Sequence, residues 1–317
     1  MALIELLYYI AGYLVGISLI AIGLTLYDKN AAKKGSWRIK EQTLLIVSAI
    51  GGSISMLLTM CMIRHKTKRK KFTVGIPFII VFQVAMITSI AALFYYGILH
   101  FNNLSYKEFP IRGVDVSSYQ GEIDWSTLSQ QNINFAYIKA TEGSSLQDKR
   151  FDYNFTEALK ADLLVGSYHF FSFDSPAISQ FENIIKTVPQ NRNMLPIAVD
   201  VEFYAGNDKN PPQKETVTNE LNILLRKLTL YYGKEPIIYA TKESYDLYIA
   251  NGFSEYAIWY RDVISYPELS DGRSFAFWQF SNRHRLDGYN GTEKYIDMNV
   301  FDGNIEDLGL LAYTTNR

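Results

Sequence analysis

The chain has 317 residues, enough for a membrane part plus one sizeable domain, and at 48% hydrophobic it can bury a core. Its single cysteine, Cys61, excludes an internal disulfide framework and a cysteine-based zinc site. Residues 1–100 hold 11 Lys/Arg and 3 Asp/Glu, while the remainder carries a net charge of −9, so the back part has no basic surface for nucleic acid and none is expected as a partner.

In chain order, residues 3–26 are apolar and long enough to span a bilayer. They lack a basic leader region, so they read as a retained anchor. Residues 74–99 form another span, with Pro77 near its start and Tyr95 and Tyr96 suited to an interfacial belt. Between them, residues 42–63 are also apolar, with basic residues on both flanks. The positive-inside rule wants both flanks in the cytoplasm. Gly51-Gly52 at the centre would let this segment dip in and return; a plain third span is the alternative. In either case residues 100 onward emerge outside, giving a multi-pass cell-membrane protein with its second domain extracytoplasmic. His65, alone in a basic loop, reads as a solvated or lipid-phosphate contact. No paired intramembrane charges suggest transport.

The Trp-Arg-Ile…Glu run from Trp37, the glycine pair and the Arg-His-Lys-Thr turn at 64–67 resemble a small family of uncharacterised bacterial membrane proteins. That resemblance covers roughly residues 1–97 and implies no chemistry. Residues 101–110 read as a polar linker ending at Pro110.

Beyond the linker, strands are predicted at Ile111–Val116, Phe135–Ala140, Leu164–Phe171, Pro196–Glu202, Pro236–Ala240, Tyr256–Tyr260, Ala276–Phe280 and Tyr295–Asn299. Helices are predicted at about 125–131, 151–161, 176–187 and 214–232, with a shorter one near 242–250. Strands alternating with helices suggest parallel βαβ units, and eight strands fit a closed barrel. Helices thin out after the fifth strand.

The fourth strand carries two acids in an apolar run, PIAVDVEFY at 196–204. Asp200 and Glu202, two residues apart, share one face of a strand, about 6.6 Å apart along the backbone. Like charges held that close raise one another's pKa, which suits acid/base work; two acids reaching solvent at a strand end is the plainer explanation. Other strand ends add Asp115, Lys139 with Glu142, Tyr168 with His169, Tyr239, Trp259 with Tyr260, Trp278 with Gln279, and Asp297 with Asn299. In a barrel such ends converge on one face, where sites are built. Acids among aromatic platforms suit carbohydrate, and a glycosidase needs two groups at the scissile bond. Four histidines and one cysteine are a poor basis for a metal centre, and neither a G-x-S-x-G elbow nor a phosphate-cradling glycine loop is present. No metal or organic cofactor is expected.

GVDVSSYQGEIDW, YIKATEGSS, GSYHFFSF, PIAVDVE, WQF and YIDMNVFDG follow in this order at fitting spacings. Together they resemble family 25 glycoside hydrolases, the muramidase-type lysozymes, over about residues 111–310. The resemblance implies an α/β fold, a modified TIM-like (β/α)5β3 barrel, here preceded by a helical transmembrane domain. It implies cleavage of the β-1,4 bond from N-acetylmuramic acid to N-acetylglucosamine in peptidoglycan. On the matching motifs, Glu202 corresponds to the general acid, Asp200 to its partner carboxylate, and Asp115 and Asp297 to two further acids of the site. Tyr119, Glu142, Tyr168, His169, Tyr239, Trp259, Trp278 and Gln279 are the candidate substrate-binding residues. Tyr119 stands where a tryptophan is frequent, and residues 256–261 are a shifted form of a usual tryptophan-containing strand. The expected partners are peptidoglycan glycan strands and the lipid bilayer. The competing expectation is a non-catalytic module that holds wall glycan on a membrane scaffold.

Overall fold

A computed structural model describes residues 2–95, 104–190 and 194–313. Tyr96, the end of the 74–99 span and the first residues of the 101–110 stretch lie outside the described residues. Two compact units divide the chain, Met1–His100 and Phe101–Arg317.

The first unit holds three apolar helical segments, Tyr8–Lys34, Glu41–Met62 and Lys70–Tyr95, each long and apolar enough to cross a membrane. They comprise α1 (Ala2–Lys34), α2 (Glu41–Val47) with α3 (Ser53–Met62), and α4 (Lys70–Thr73) with α5 (Gly75–Tyr95). The second segment is folded back on itself. Between α2 and α3 the helix is interrupted at Gly51, whose φ of 121° suits only glycine. The fully buried Asp28 of α1 meets both ends of the segment. It accepts from the Ile39 amide at 3.2 Å on one side and from His65 at 2.7 Å and Lys66 at 2.9 Å on the other. A straight helix would hold Ile39 and His65 about 39 Å apart. The middle of the segment packs about 22 Å further along α1, where the Tyr13 hydroxyl donates to the Ile50 carbonyl at 2.7 Å. His65 is therefore an interior partner of a carboxylate and not the solvated or lipid-phosphate contact expected from sequence, because the reversal returns it to Asp28.

The second unit is an α/β barrel. Its strands are β1 (Ile111–Val116), β2 (Phe135–Glu142), β3 (Leu146–Gln147), β4 (Leu164–Phe170), β5 (Ala198–Val201), β6 (Ile237–Thr241), β7 (Ile258–Arg261), β8 (Phe277–His284) and β9 (Ile296–Phe301). They run in the order β1-β9-β8-β7-β6-β5-β4-β2, and pairing of β1 with β2 closes the ring; β3 is a short arm on β2. The strands from β1 to β8 are parallel around the ring, whereas β9 runs antiparallel to both β8 and β1. Outside them lie α6 (Trp125–Ser129), α7 (Phe151–Lys160), α8 (Ala177–Thr187), α9 (Lys214–Tyr232) and α10 (Lys242–Ser244).

Alternation along the strands divides the core in two. Val114, Ala136, Ile138, Val165, Val199, Val201, Ile238 and Tyr260 face the helices. Phe135, Tyr137, Ala198, Ile237, Tyr239, Trp259 and Phe277 fill the barrel. The sequence gives no warning of α11 (Ile305–Tyr313), whose Leu308 and Ala312 belong to the inner cluster and close the barrel floor. From Leu104 onward the supposed linker is part of the barrel unit: Tyr106 stacks on Phe280 at 4.1 Å, and Phe109 meets Trp278 edge-on at 6.0 Å.

Two glycines set the strand spacing. A Cβ on Gly113 would fall 2.3 Å from the Phe135 ring, and one on Gly166 would fall 2.3 Å from the Tyr137 ring. Each absence lets an inward ring of the neighbouring strand lie flat against the backbone.

Candidate active site

The open rim of the barrel gathers the carboxyl ends of the parallel strands and the amino end of the antiparallel β9. Asp115 is the last residue but one of β1 and pairs in register with Asp297 of β9. Asp200 lies on β5, in register with Tyr239 of β6, and Glu202 follows just beyond the strand. All four acids feel the Arg261 guanidinium at the end of β7. They therefore surround one space.

Asp115 is the best-supported of them. Its Oδ2 accepts from Gln279 Nε2 at 2.9 Å and from Asn299 Nδ2 at 2.8 Å. Both amides are themselves oriented from below. Tyr239 donates its hydroxyl to Gln279 Oε1 at 3.0 Å, and the Trp259 indole donates to Asn299 Oδ1 at 2.8 Å. An indole N–H can only donate, so Asn299 must turn its oxygen to Trp259 and its NH2 to Asp115, and Gln279 takes the same orientation with the Tyr239 hydroxyl donating. Tyr137 and Tyr239 each pack on the Trp259 ring, with centroids 4.8 and 4.9 Å from it.

The electrostatics follow from burial. Burial, then the charge of Asp115, pushes Asp297 up to about 9. At neutral pH Asp297 therefore keeps its proton and donates to Asp115. Burial raises Asp115 too, against the pull of its Asn299 and Gln279 hydrogen bonds. Burial, then the charge of Glu202, drives Asp200 well above the usual carboxylate range, and its Oδ1 is a buried acceptor with no hydrogen-bond partner among the described residues. Burial also raises Glu202, opposed by Arg261 and Lys139. Two carboxyls held this close cannot both ionise easily, so the pair retains a proton.

Around the acids, Tyr168 of β4 faces inward and feels the charges of Asp115, Asp200 and Asp297. Lys139 and Glu142 of β2 pair at 2.7 Å, with Lys139 over the Phe170 ring. Tyr119 sits on the short turn after β1 and is 67% exposed.

Several proposed contacts fall elsewhere. His169 points outward, in register with Val199 of the helix-facing layer. Its ring is buried between Thr141 at 2.8 Å and the Gln180 oxygen at 3.0 Å. Burial lowers it to about 4, so it is a neutral structural residue. Trp278 also points outward, packs against Phe109, Tyr266 and Phe275, and donates its indole N–H to the Asp262 carbonyl at 2.7 Å. Neither can touch a ligand in the barrel mouth. Trp259, Tyr239 and Gln279 are buried beneath the acids and serve as their supports. For His169 and Trp278 the physical reason is strand parity: of two adjacent residues only one faces the barrel. Sequence reasoning placed Lys139 and Asn299 at strand ends but gave them no role, and it left Arg261 out altogether. Arg261 and Asn299 lie two positions beyond inward residues Trp259 and Asp297, and that offset was the available signal. Among the described residues, no group of three or more His, Cys, Asp or Glu could hold a metal ion.

Comparison with known proteins agrees with this architecture. Residues 114–289 match the family described as Glycosyl hydrolases family 25, and residues 18–72 match Protein of unknown function (DUF1294). The chain belongs to family 25 of the glycosyl hydrolases, with a DUF1294 domain at its front. It is 33% identical over 205 residues to Uncharacterized protein YegX of Escherichia coli K12, covering 63% of this chain and 72% of that one. It is 29% identical over 218 residues to Lysozyme M1 of Streptomyces globisporus, covering 65% and 72% respectively. Among solved structures, a family 25 glycosyl hydrolase from Bacillus anthracis matches with a TM-score of 0.64 and 50% identity, over 68% of this chain and 99% of that one.

Proposed function

We propose that this chain is a membrane-anchored N-acetylmuramidase that hydrolyses the β-1,4 bond from N-acetylmuramic acid to N-acetylglucosamine in peptidoglycan. The observation that carries the reading is the proton-retaining pair of Asp200 and Glu202, set opposite the Asp115–Asp297 pair at one barrel rim. Glycoside hydrolysis needs a protonated acid at the leaving oxygen and a negative or nucleophilic group at the oxocarbenium-like centre. Burial favours the shared proton on Asp200 in the free site; an N–H donated to Asp200 by bound substrate would favour its ionised form and leave the proton on Glu202, at the outer edge of the pair, which then protonates the leaving oxygen. Charge then stays on Asp200. Its unfilled Oδ1 suits the N–H of a substrate acetamido group, which it would hold in place to attack the anomeric carbon. The Asp115–Asp297 hydrogen bond keeps one net charge across the cleft to stabilise the cationic centre. The apolar front segments anchor the enzyme, with the barrel on the outer side and cleavage confined to wall near the membrane.

The test is Glu202→Gln in the purified full chain, incubated with peptidoglycan and followed by chromatography of released muropeptides with reducing-end identification. Loss of general-acid catalysis lowers turnover about 10²–10⁴-fold while melting is preserved. Near-normal turnover by the variant refutes the assignment. A wild-type chain that binds wall but releases no new reducing ends would instead be a glycan-holding module.

A further inference from the structure

The reversal at Gly51 is built for an apolar surrounding. A break in a helix frees carbonyls, and each free carbonyl in a bilayer is costly. Here the freed carbonyls have side-chain donors. The Gln83 amide of α5 donates to Ser48 O at 3.2 Å and Ala49 O at 2.8 Å, and accepts from the Ser53 hydroxyl at 2.7 Å. Tyr13 of α1 serves Ile50 O. Gly52 packs so tightly that a Cβ would meet Ala21 of α1 at 2.9 Å. A turn satisfied by the two flanking helices can sit at membrane depth, so the segment enters and leaves on one side.

That geometry has an electrostatic consequence. All 11 Lys/Arg of residues 1–100 fall in the stretches 29–40 and 64–71, and the hairpin brings those stretches to one end of the unit. Glu41, where the hairpin starts, lies 3.4 Å from Arg69 and 3.5 Å from Lys71, beyond where it ends. Two carboxylates, Asp28 and Glu41, take up part of the charge. Lys33, Lys34, Lys40, Arg64, Lys68 and Lys70 are exposed and pair with no carboxylate among the described residues. Trp37, 74% exposed, stands in their midst, an amphipathic ring of the kind that settles at the headgroup level.

We propose that this basic end is a binding surface for anionic phospholipids, which takes the phosphodiester headgroups of the leaflet on the side of residues 29–40 and 64–71. Clustered Lys/Arg beside a membrane segment attract anionic lipid over a Debye length, and an aromatic ring among them fixes depth. The inference uses only the membrane part of the function proposed above. Its assay contains no peptidoglycan, so its outcome is independent of muramidase activity.

The experiment places the full chain in lipid nanodiscs and measures, by electron spin resonance, its association with spin-labelled phosphatidylglycerol against spin-labelled phosphatidylcholine. Phosphatidylglycerol is favoured roughly tenfold at low salt, and the preference falls several-fold at about 0.5 M salt. The variant combining Lys33→Gln, Lys34→Gln, Lys68→Gln and Lys70→Gln spares every paired residue and loses most of the preference. Equal association of both lipids with the wild-type chain overturns the proposal, as does a preference that survives both salt and the variant. A second arm labels Ser36→Cys and Thr67→Cys chains in a Cys61→Ser background from either side of the membrane. Labelling from the same side is expected; labelling from opposite sides dissolves the one-ended surface and overturns the proposal.

Discussion

Replacing Asp297 by asparagine should stabilise the barrel in a pH-dependent way. Asp297 is pushed up to about 9 in the folded protein, from an ordinary carboxylate value of 3.8 when unfolded. A raised acid favours the folded state fully below its unfolded pKa. It loses that contribution steadily as pH climbs towards the folded pKa, because the unfolded chain can release the proton and the native site cannot. The window is therefore about pH 4 to 9. At pH 8 the ceiling on the penalty is about 5–6 kcal/mol, from about 1.4 kcal/mol per unit. A realised cost of only about a third of that ceiling, about 2 kcal/mol, is already enough to read in a melt. Asparagine keeps an N–H donor for Asp115 and has no proton to lose. Asp297→Asn should then melt about 4–8 °C above wild type at pH 8 and level with it at pH 4. Tryptophan fluorescence reads this directly, since Trp125, Trp259 and Trp278 are all buried in the barrel unit. If the two proteins keep a constant difference across pH 4–8, or the variant is the weaker at pH 8, Asp297 does not hold a proton as argued.

Three further substitutions test the supports. Asn299→Ala removes an N–H from Asp115 and leaves the Trp259 indole buried without an acceptor; about 2–4 kcal/mol should be lost in denaturant melts, and an unchanged midpoint refutes the linkage. Trp278→Phe forfeits the hydrogen bond to the Asp262 carbonyl, so stability falls by about 1–2 kcal/mol while KM for peptidoglycan fragments holds. A KM shift without a stability change would return Trp278 to the cleft. Gly113→Ala drives a methyl into the Phe135 ring and should cost about 3 kcal/mol or more in the same melts; a wild-type midpoint would mean the strands can part there.

All eight barrel strands could be read from sequence because their apolar alternation and flanking turns are local. The helix at Ile305–Tyr313 could not, since its short apolar face has meaning only against the floor that eight distant strands create. The acids Asp115, Asp200, Glu202 and Asp297 were legible as residues at strand ends. The roles of their neighbours were not, because a strand end was read as a pair of adjacent residues where geometry admits alternate ones. Tyr168 faces the acids and His169 faces Gln180; Gln279 faces Asp115 and Trp278 faces Phe109. Asp297 reaches the rim for a different reason than its companions. It opens a strand that runs backwards, and hydropathy carries no sign of strand direction.

Two buried carboxylates in this chain show what separates a structural acid from a chemical one. Asp28 is enclosed by two cations at contact distance, Arg38 at 3.4 Å and Lys66 at 2.9 Å, and by a ring nitrogen of His65 at 2.7 Å, so its charge is spent on closing a hairpin. Asp115 is held by neutral amides, and its nearest ionic company is another acid, with the Arg261 cation acting from a distance on all four carboxyls. A cation in contact pins the ionised state and leaves little reason to exchange a proton. Amides orient a carboxylate without neutralising it. Burial beside a second carboxyl then keeps protons on groups that would otherwise have lost them, which is the condition a general acid needs. Lys139 shows the same contrast from the other side. It contacts Glu142 at the rim, and reaches Asp200 and Glu202 only through space. A mutation that moved a cation into contact with Glu202 would therefore be expected to strip its proton and abolish acid catalysis while leaving the barrel intact.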